Sequence, residues 1–379
     1  MTTSRQTLLM GVGVARYLDC DVALELREFH PTGHAGFQLE LDIDDGLVTR
    51  ADPRVGLMHR SAEKLFESRD YRQLMMLANR HDWLSAFSSE LVIALTLEKA
   101  TGITPPERAT WIRTLLAEAN RVTASLAFLG AVIEQSEHRA VALAARERLV
   151  DAQERVTGGR VHPMFTRIGG VANPLPPTTI DDYTAIIAAL ESARALIEDA
   201  VLAYSEGLAG LATLTRDEAV SFAASGAVGR ASGLDLDLRR DDPYLAYGEL
   251  GDILEVPSSE VGDAAARYRV LLAQIPTSLR LMSACLDRLR SLGEGPVNVL
   301  LPKTVRAPET VVHGWIEGPL GITGCLLASV GDKTPWRLKI RSTSFSHAQA
   351  LTAVLVGTPV DRVGDAVMSM FFVVGDIDR

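Results

Sequence analysis

Hydrophobic positions along the chain change period twice. Phe37, Leu39, Leu41 and Ile43 alternate with mostly polar residues, the period of a half-buried strand. Asp44-Asp45-Gly46 is a turn signal, and Leu47 to Ala51 can return as the second strand of a hairpin. Past residue 100 the period becomes helical. Thr104-Pro105-Pro106-Glu107 reads as a helix start, with Thr104 as cap and Glu107 three residues on. Ile112, Leu115, Leu116, Ala119, Val122 and Leu126 then keep helical spacing. Similar patterns run through Leu143–Val156, Tyr183–Leu211 (with Thr179 and Asp182 as a capping pair) and Val261–Leu292, where Pro276 should kink or break the helix.

The last part returns to alternation. Val311–Glu317, Gly324–Val330 and Trp336–Arg341 read as short strands divided by Gly and Asp, and Ser346–Val356 as a final helix. The fold class expected is α+β: a mainly helical bundle with small antiparallel sheets at its N- and C-terminal parts. Three stretches divide it: 1–60, an N-terminal β region; 61–300, the bundle; and 301–379, an α+β region completing the same domain. Two polar loops, Gly158–Pro177 and Ala224–Pro257, are long enough to carry function or an interface.

Charge and composition narrow the classes. A net charge of -10 argues against a general nucleic-acid binder, which would show a basic face. No run of about 18 uncharged apolar residues stands out, so attachment to a membrane is expected through partners. Cys20, Cys285 and Cys325 lie far apart without a CxxC, so no metal site is expected in this chain. Gly11-Val12-Gly13 lacks the next glycine of a dinucleotide loop, and no nucleophile elbow is present.

Specific motifs go further. His30-Pro31-Thr32-Gly33-His34-Ala35-Gly36 resembles an HPxxHG loop, and Arg50-Ala51-Asp52-Pro53 with Gly56 to Lys64 resembles RADPxxGxxHRGxEK. Arg80-His81-Asp82-Trp83 stands where the same pattern has DRLDY. Glu154 to His162 resembles ERVSGxRMH, and Gly375-Asp376-Ile377-Asp378-Arg379 matches the ending. In this order, from about residue 24 to the last, the motifs resemble the D-subunit family of NADH–quinone oxidoreductases, respiratory complex I. The N-terminal 22 residues carry no part of it.

The resemblance implies a fold like the nickel–iron hydrogenase large subunit, whose metal is held by two CxxC pairs. Here the corresponding stretches, Asp82–Ser89 and Gly375–Arg379, hold no thiol, and nickel–iron sites need soft sulfur ligands. The resemblance therefore implies no cofactor on this chain and a quinone as substrate. The partners implied are the iron–sulfur B-subunit, carrying the terminal cluster, and other peripheral and membrane subunits, with NADH and FMN elsewhere in the complex. The chain would lie on the cytoplasmic side of the cell membrane, peripherally.

Quinone reduction places charge on two oxygens and consumes two protons, so the site needs donors and proton carriers. By resemblance His34 is the head-group histidine; its plainer reading is a residue capping a hairpin loop. Trp83 occupies the place of the family's tyrosine, and an indole N–H donates a hydrogen bond but not a proton; its plainer reading is core. Arg60 and His162 resemble residues beside the partner's iron–sulfur cluster. For Arg60 an ion pair with Glu63 or Glu67 is the competing reading. Glu134 stands near the family's acidic partner of the histidine. Two other functions stay open: a non-catalytic scaffold paralogue, or a component of a related membrane-bound oxidoreductase with another electron donor.

Overall fold

The computed structural model describes residues 4–11, 20–24, 26–27, 30–34 and 36–379. The N-terminal sheet comprises β1 (Ser4–Met10), β2 (Val22–Leu24), β3 (Phe37–Asp44) and β4 (Leu47–Arg54), in the order β2-β1-β3-β4. Phe37, Leu39, Leu41 and Ile43 all face the core, as the alternation requires. Asp45 and Gly46 both take positive φ (48° and 75°) at the hairpin turn, the geometry that matches strand twist. The inner strand β1 and the edge strand β2 were not legible: Leu8, Leu9 and Met10 of β1 are a continuous apolar run, without alternation.

Helices α1 (Ala62–Glu67), α2 (Leu74–Ala78) and α3 (Ala86–Thr101) follow, then α4 (Glu107–Val132) and α5 (Ser136–Thr157). A two-residue ribbon, β5 (Thr166–Arg167) with β6 (Gly170–Val171), precedes α6 (Thr179–Glu206). Three short helices, α7 (Arg216–Ser221), α8 (Gly226–Ala231) and α9 (Leu238–Asp241), lead into α10 (Ala264–Leu292). The antiparallel sheet β7 (Glu309–Glu317), β8 (Ile322–Val330) and β9 (Arg337–Arg341) covers α3. The chain ends with α11 (Thr343–Val354), α12 (Val363–Met368) and α13 (Val374–Asp378).

The α+β expectation holds. Four long helices close a ring, α4 against α5, α5 against α6, α6 against α10 and α10 back against α4. Among the described residues α4 alone is long and apolar enough to cross a membrane, and it is the bundle's buried centre. A helix that is apolar all round is a core helix when neighbours cover every face.

Local starts differ from expectation where proline intervenes. α4 begins at Glu107 with Pro106 in the cap position, not at Thr104, because residues preceding proline are held out of the helical region. α6 begins at Thr179, and it is the Thr178 hydroxyl that donates to Asp182, at 3.0 Å. α10 runs unbroken through Pro276. Packing against α4 and α6 holds both halves in place although the proline removes one ladder bond.

The Ala224–Pro257 loop turns Arg230, Asp237 and Arg239 inward, while Asp235 and Arg240–Asp242 stay exposed. Arg239 pairs with Asp237 (2.7 Å) and Glu118 of α4 (3.2 Å), and Arg230 pairs with Glu317 of β7 (2.8 Å). Glu118 also accepts from the hydroxyls of Tyr247 (2.5 Å) and Ser278 (2.6 Å). Burial works to raise the Glu118 carboxyl, but Arg121 and Arg239 outweigh it and hold the group at about 2. Such a loop is an internal lock between bundle and C-terminal sheet.

Candidate functional site

The site is built on three segments that meet far from their sequence neighbours. The first is a single turn, Pro31–His34. The Thr32 hydroxyl donates to the Phe372 carbonyl at 2.9 Å, fastening the turn to the C-terminal segment. His34 stands exposed at the end of the turn. Its Nδ1 is 3.1 Å from the His30 carbonyl oxygen. A carbonyl only accepts, so Nδ1 carries the proton and Nε2 faces outward as the free nitrogen. Neutral His34 therefore offers Nε2 as an acceptor; donation from Nε2 requires the imidazolium.

His30 is its buried counterpart. Both ring nitrogens lack a partner, and its ring meets Phe128 edge-on at 5.4 Å. Burial, then the charges of His34 and Arg27, push His30 down to about 3, so it stays neutral.

The second segment is the turn Asn79–Ser85 ahead of α3. One carboxylate oxygen of Asp82 accepts from the Leu84 and Ser85 amides (3.1 and 3.0 Å), and Asn120 donates to the Leu84 carbonyl (2.8 Å). This fixes the turn that carries Trp83. The Trp83 ring, half-buried, lies 5.3 Å from the His34 ring at an interplanar angle of 65°, the edge-to-face arrangement that aromatic pairs favour. The structure thus brings together two residues 49 positions apart that the sequence singles out separately. Behind Trp83 the His81 ring reaches Asp376, at 3.1 Å.

The third segment is the C-terminus. Asp376 accepts the Ser342 hydroxyl (2.6 Å) and the Ser344 amide (3.1 Å). Asp378 accepts the amides of Gly56 (2.6 Å) and Met58 (2.8 Å), while its carbonyl accepts Nδ1–H of His59 (2.7 Å). Arg379 pairs with Glu63 at 3.1 Å. The terminal Gly-Asp-Ile-Asp-Arg is a clasp on the loop that bears Arg60.

Arg60 does not pair with its own helix. Glu63 is taken by Arg337, Lys339 and Arg379, and Glu67 by Lys64 and Arg337. The Arg60 guanidinium reaches the Arg80 carbonyl at 3.5 Å. His162 is half-buried beside the Asn79 backbone and Arg80; burial and then the Arg80 charge lower its pKa. Arg60 and His162 are therefore joined through Arg80, a cationic face on the same turn that presents Trp83. Glu134 lies elsewhere, exposed and paired with Arg27 at 3.0 Å. Arg80, His81 and Asp376 fall within the sequence motifs, yet sequence reasoning gave none of them a role. Three charged or imidazole groups directly before an aromatic site residue, Arg80-His81-Asp82, were the available signal.

Metal-holding capacity is low. Among the described residues no three His, Cys, Asp or Glu side chains group as a metal site. Cys285 and Cys325 are buried in separate elements, and burial pushes the Cys325 thiol up to about 12. A cavity of about 790 Å³ opens between Arg72, Arg167 and Asn298–Leu301, away from the paired rings.

Comparison with known proteins identifies the family. The model of the family described as "Respiratory-chain NADH dehydrogenase, 49 Kd subunit" matches residues 136–306 and 298–379. The chain is 47% identical to the first NADH-quinone oxidoreductase D-subunit of Streptomyces coelicolor, over the whole of both chains. Identity is 46% to the second D-subunit of Streptomyces griseus (98% of this chain, 95% of the relative). It is 32% to the D-subunit of Geobacillus thermodenitrificans (94% and 98%).

Proposed function

The chain belongs to the D-subunit family of NADH-quinone oxidoreductases, and from that premise we propose that it forms one wall of the quinone-reducing site in such a complex. The observation that carries the reading is the His34–Trp83 pair: an imidazole and an indole edge-to-face at 5.3 Å, on a face open to a second wall. The Nδ1 bond to the His30 carbonyl orients His34 so that Nε2 points away from its own turn. As imidazolium it donates a hydrogen bond to a quinone oxygen and then gives up that proton as charge develops. The Trp83 ring packs beside the head group and its indole N–H offers a further donor.

Arg60, Arg80 and His162 form the face on which the partner iron–sulfur B-subunit would set its terminal cluster. Positive charge there favours the reduced cluster by Coulomb attraction. When bound in the complex, that cluster supplies electrons one at a time; the hydrogenase-like fold without thiolates fits a chain that supplies none. NADH and FMN belong to other subunits, and the chain would lie peripherally on the cytoplasmic side of the membrane subunits of a translocase.

The test is purification of the complex from the native host through a tag on this chain. Co-purification of an iron–sulfur protein and membrane subunits, with quinone reductase activity lost in His34→Ala, is the expected result. Full activity in His34→Ala would remove the reading. Trp83, in the place of a proton-bearing phenol, favours a second reading, a scaffold paralogue without quinone chemistry. An assembled but inactive wild-type complex would establish it. An active complex accepting electrons from something other than NADH would mark a related oxidoreductase.

A further inference from the structure

Three ionisable side chains lie together beneath the turn that presents Trp83. His81 and Asp376 are in contact at 3.1 Å, and Asp82 is the next residue in the chain, held by the Leu84 and Ser85 amides. All three are at most 5% exposed. Two carboxylates against one imidazole leave one negative charge unbalanced when all are ionised. An unbalanced charge is costly in the interior, and taking up a proton relieves it. Burial and then the charge of Asp376 push Asp82 up to about 7, against the pull of His81 and the hydrogen bonds from Ser85.

The groups facing the trio from other elements are few. Ser342 and the Ser344 amide donate to Asp376, and Arg341, at the end of β9, is the cation that senses Asp376, with Glu317 on its other side. The trio also shares its scaffold with His34. Segment Phe371–Asp376 accepts the Thr32 hydroxyl at its start and the His81 ring at its end. Gly375 approaches so closely that an added Cβ would stand 2.5 Å from the His81 carbonyl.

We propose that His81, Asp82 and Asp376 form an internal proton store that feeds the site bordered by His34 and Trp83, in place of the phenol that Trp83 lacks. The proposal rests on the quinone-site reading. Converting a quinone to a quinol takes two electrons and two protons. The electrons would be supplied singly by the partner's iron–sulfur cluster. One proton leaves Nε2 of His34, the other leaves the store, and both groups are refilled from water. His81 and Asp82 act through the site rather than touching the quinone, so a pH profile and a spectroscopic signature are the decisive readouts.

The test uses the intact complex and a short-chain quinone. His81→Leu installs the residue of the DRLDY pattern, and Asp82→Asn keeps an oxygen for the two amides while removing the acidic proton. Each is expected to lower turnover by about 10²-fold with little change in KM, and to change the shape of the alkaline limb of the pH profile. In infrared difference spectra, a protonated-carboxyl band lost from wild type as pH rises through neutrality should be missing from Asp82→Asn. Variants with wild-type rate and pH profile, or a band that survives in Asp82→Asn, would overturn the store. If His81→Leu does not assemble, Asp82→Asn decides. His34→Ala, run in parallel, separates the two ideas: full activity there removes the quinone site itself, whereas loss there with unaffected store variants removes only the store.

Discussion

His81 and Asp376 meet at 3.1 Å in the interior although 295 positions separate them along the chain. The contact joins the turn before α3 to the last helix, so the C-terminus is part of the site's frame. The same segment holds the His34 turn through Thr32 and Phe372. Disturbance at either end should be felt at the other.

Stability should depend on pH through the neighbouring carboxyls of Asp376 and Asp82, with opposite signs. Asp376 is buried, yet His81 and the Ser342 and Ser344 bonds hold it at about 2. Its stabilisation is present above the ordinary carboxyl value of about 4 and lost as pH falls towards 2. Asp82 is raised to about 7, so its contribution is full below about 4 and lost as pH rises through 7. Asp82→Asn should therefore be more stable than wild type at about pH 8, by on the order of 1–3 kcal/mol, with the gain fading towards pH 4. Thermal unfolding at several pH values checks this; a pH-independent difference would contradict it.

Glu118 is the shared acceptor of the internal lock. Glu118→Ala leaves Arg121 and Arg239 buried with less compensation and removes the acceptor for Tyr247 and Ser278. The expected loss is about 3–5 kcal/mol, read from denaturant midpoints. An unchanged midpoint would mean the network is not a stabilising element.

Trp83 and His81 should be coupled. In a His81→Leu background, Trp83→Tyr returns a phenol beside His34 and should recover part of the lost quinone turnover. In the wild-type background Trp83→Ala removes the edge-to-face contact, worth about 0.5–1.5 kcal/mol, and should raise KM for quinone more than it lowers kcat. Additive losses across the double-variant cycle would argue against the coupling.

The cationic face makes an electrochemical prediction. Arg60→Ala or Arg80→Ala should make the partner cluster's potential more negative, by on the order of 1 kcal/mol of lost Coulomb attraction. His162 is lowered by burial and Arg80, so the potential's pH dependence should fall on the acid side of the ordinary imidazole range and vanish in His162→Ala. Redox titration followed by electron paramagnetic resonance would show either outcome.

Removing Asp378 and Arg379 opens the clasp on residues 56–63. Three hydrogen bonds and the Glu63 pair are lost. The Arg60 loop should become protease-sensitive and recovery of partner subunits should fall. Unaltered cleavage would show that the loop is held by other contacts.

The sequence by itself determined the periodic elements and the family. The Phe37–Ile43 alternation, the long helical stripes and the three C-terminal strands follow from local period, and the ordered motifs persist because each is a short run of neighbours. It also marked His34, Trp83, Arg60 and His162, but as separate points. Only the tertiary structure decided that His34 meets Trp83 edge-to-face, that Arg80 joins Arg60 to His162, and that Asp376 reaches His81. It likewise decided that Arg230, Asp237 and Arg239 of the Ala224–Pro257 loop are interior, and that α4 is the core of a bundle. Period reports which side of an element is apolar. It carries no information on which distant element meets that side, because such contacts depend on packing the whole chain into one interior.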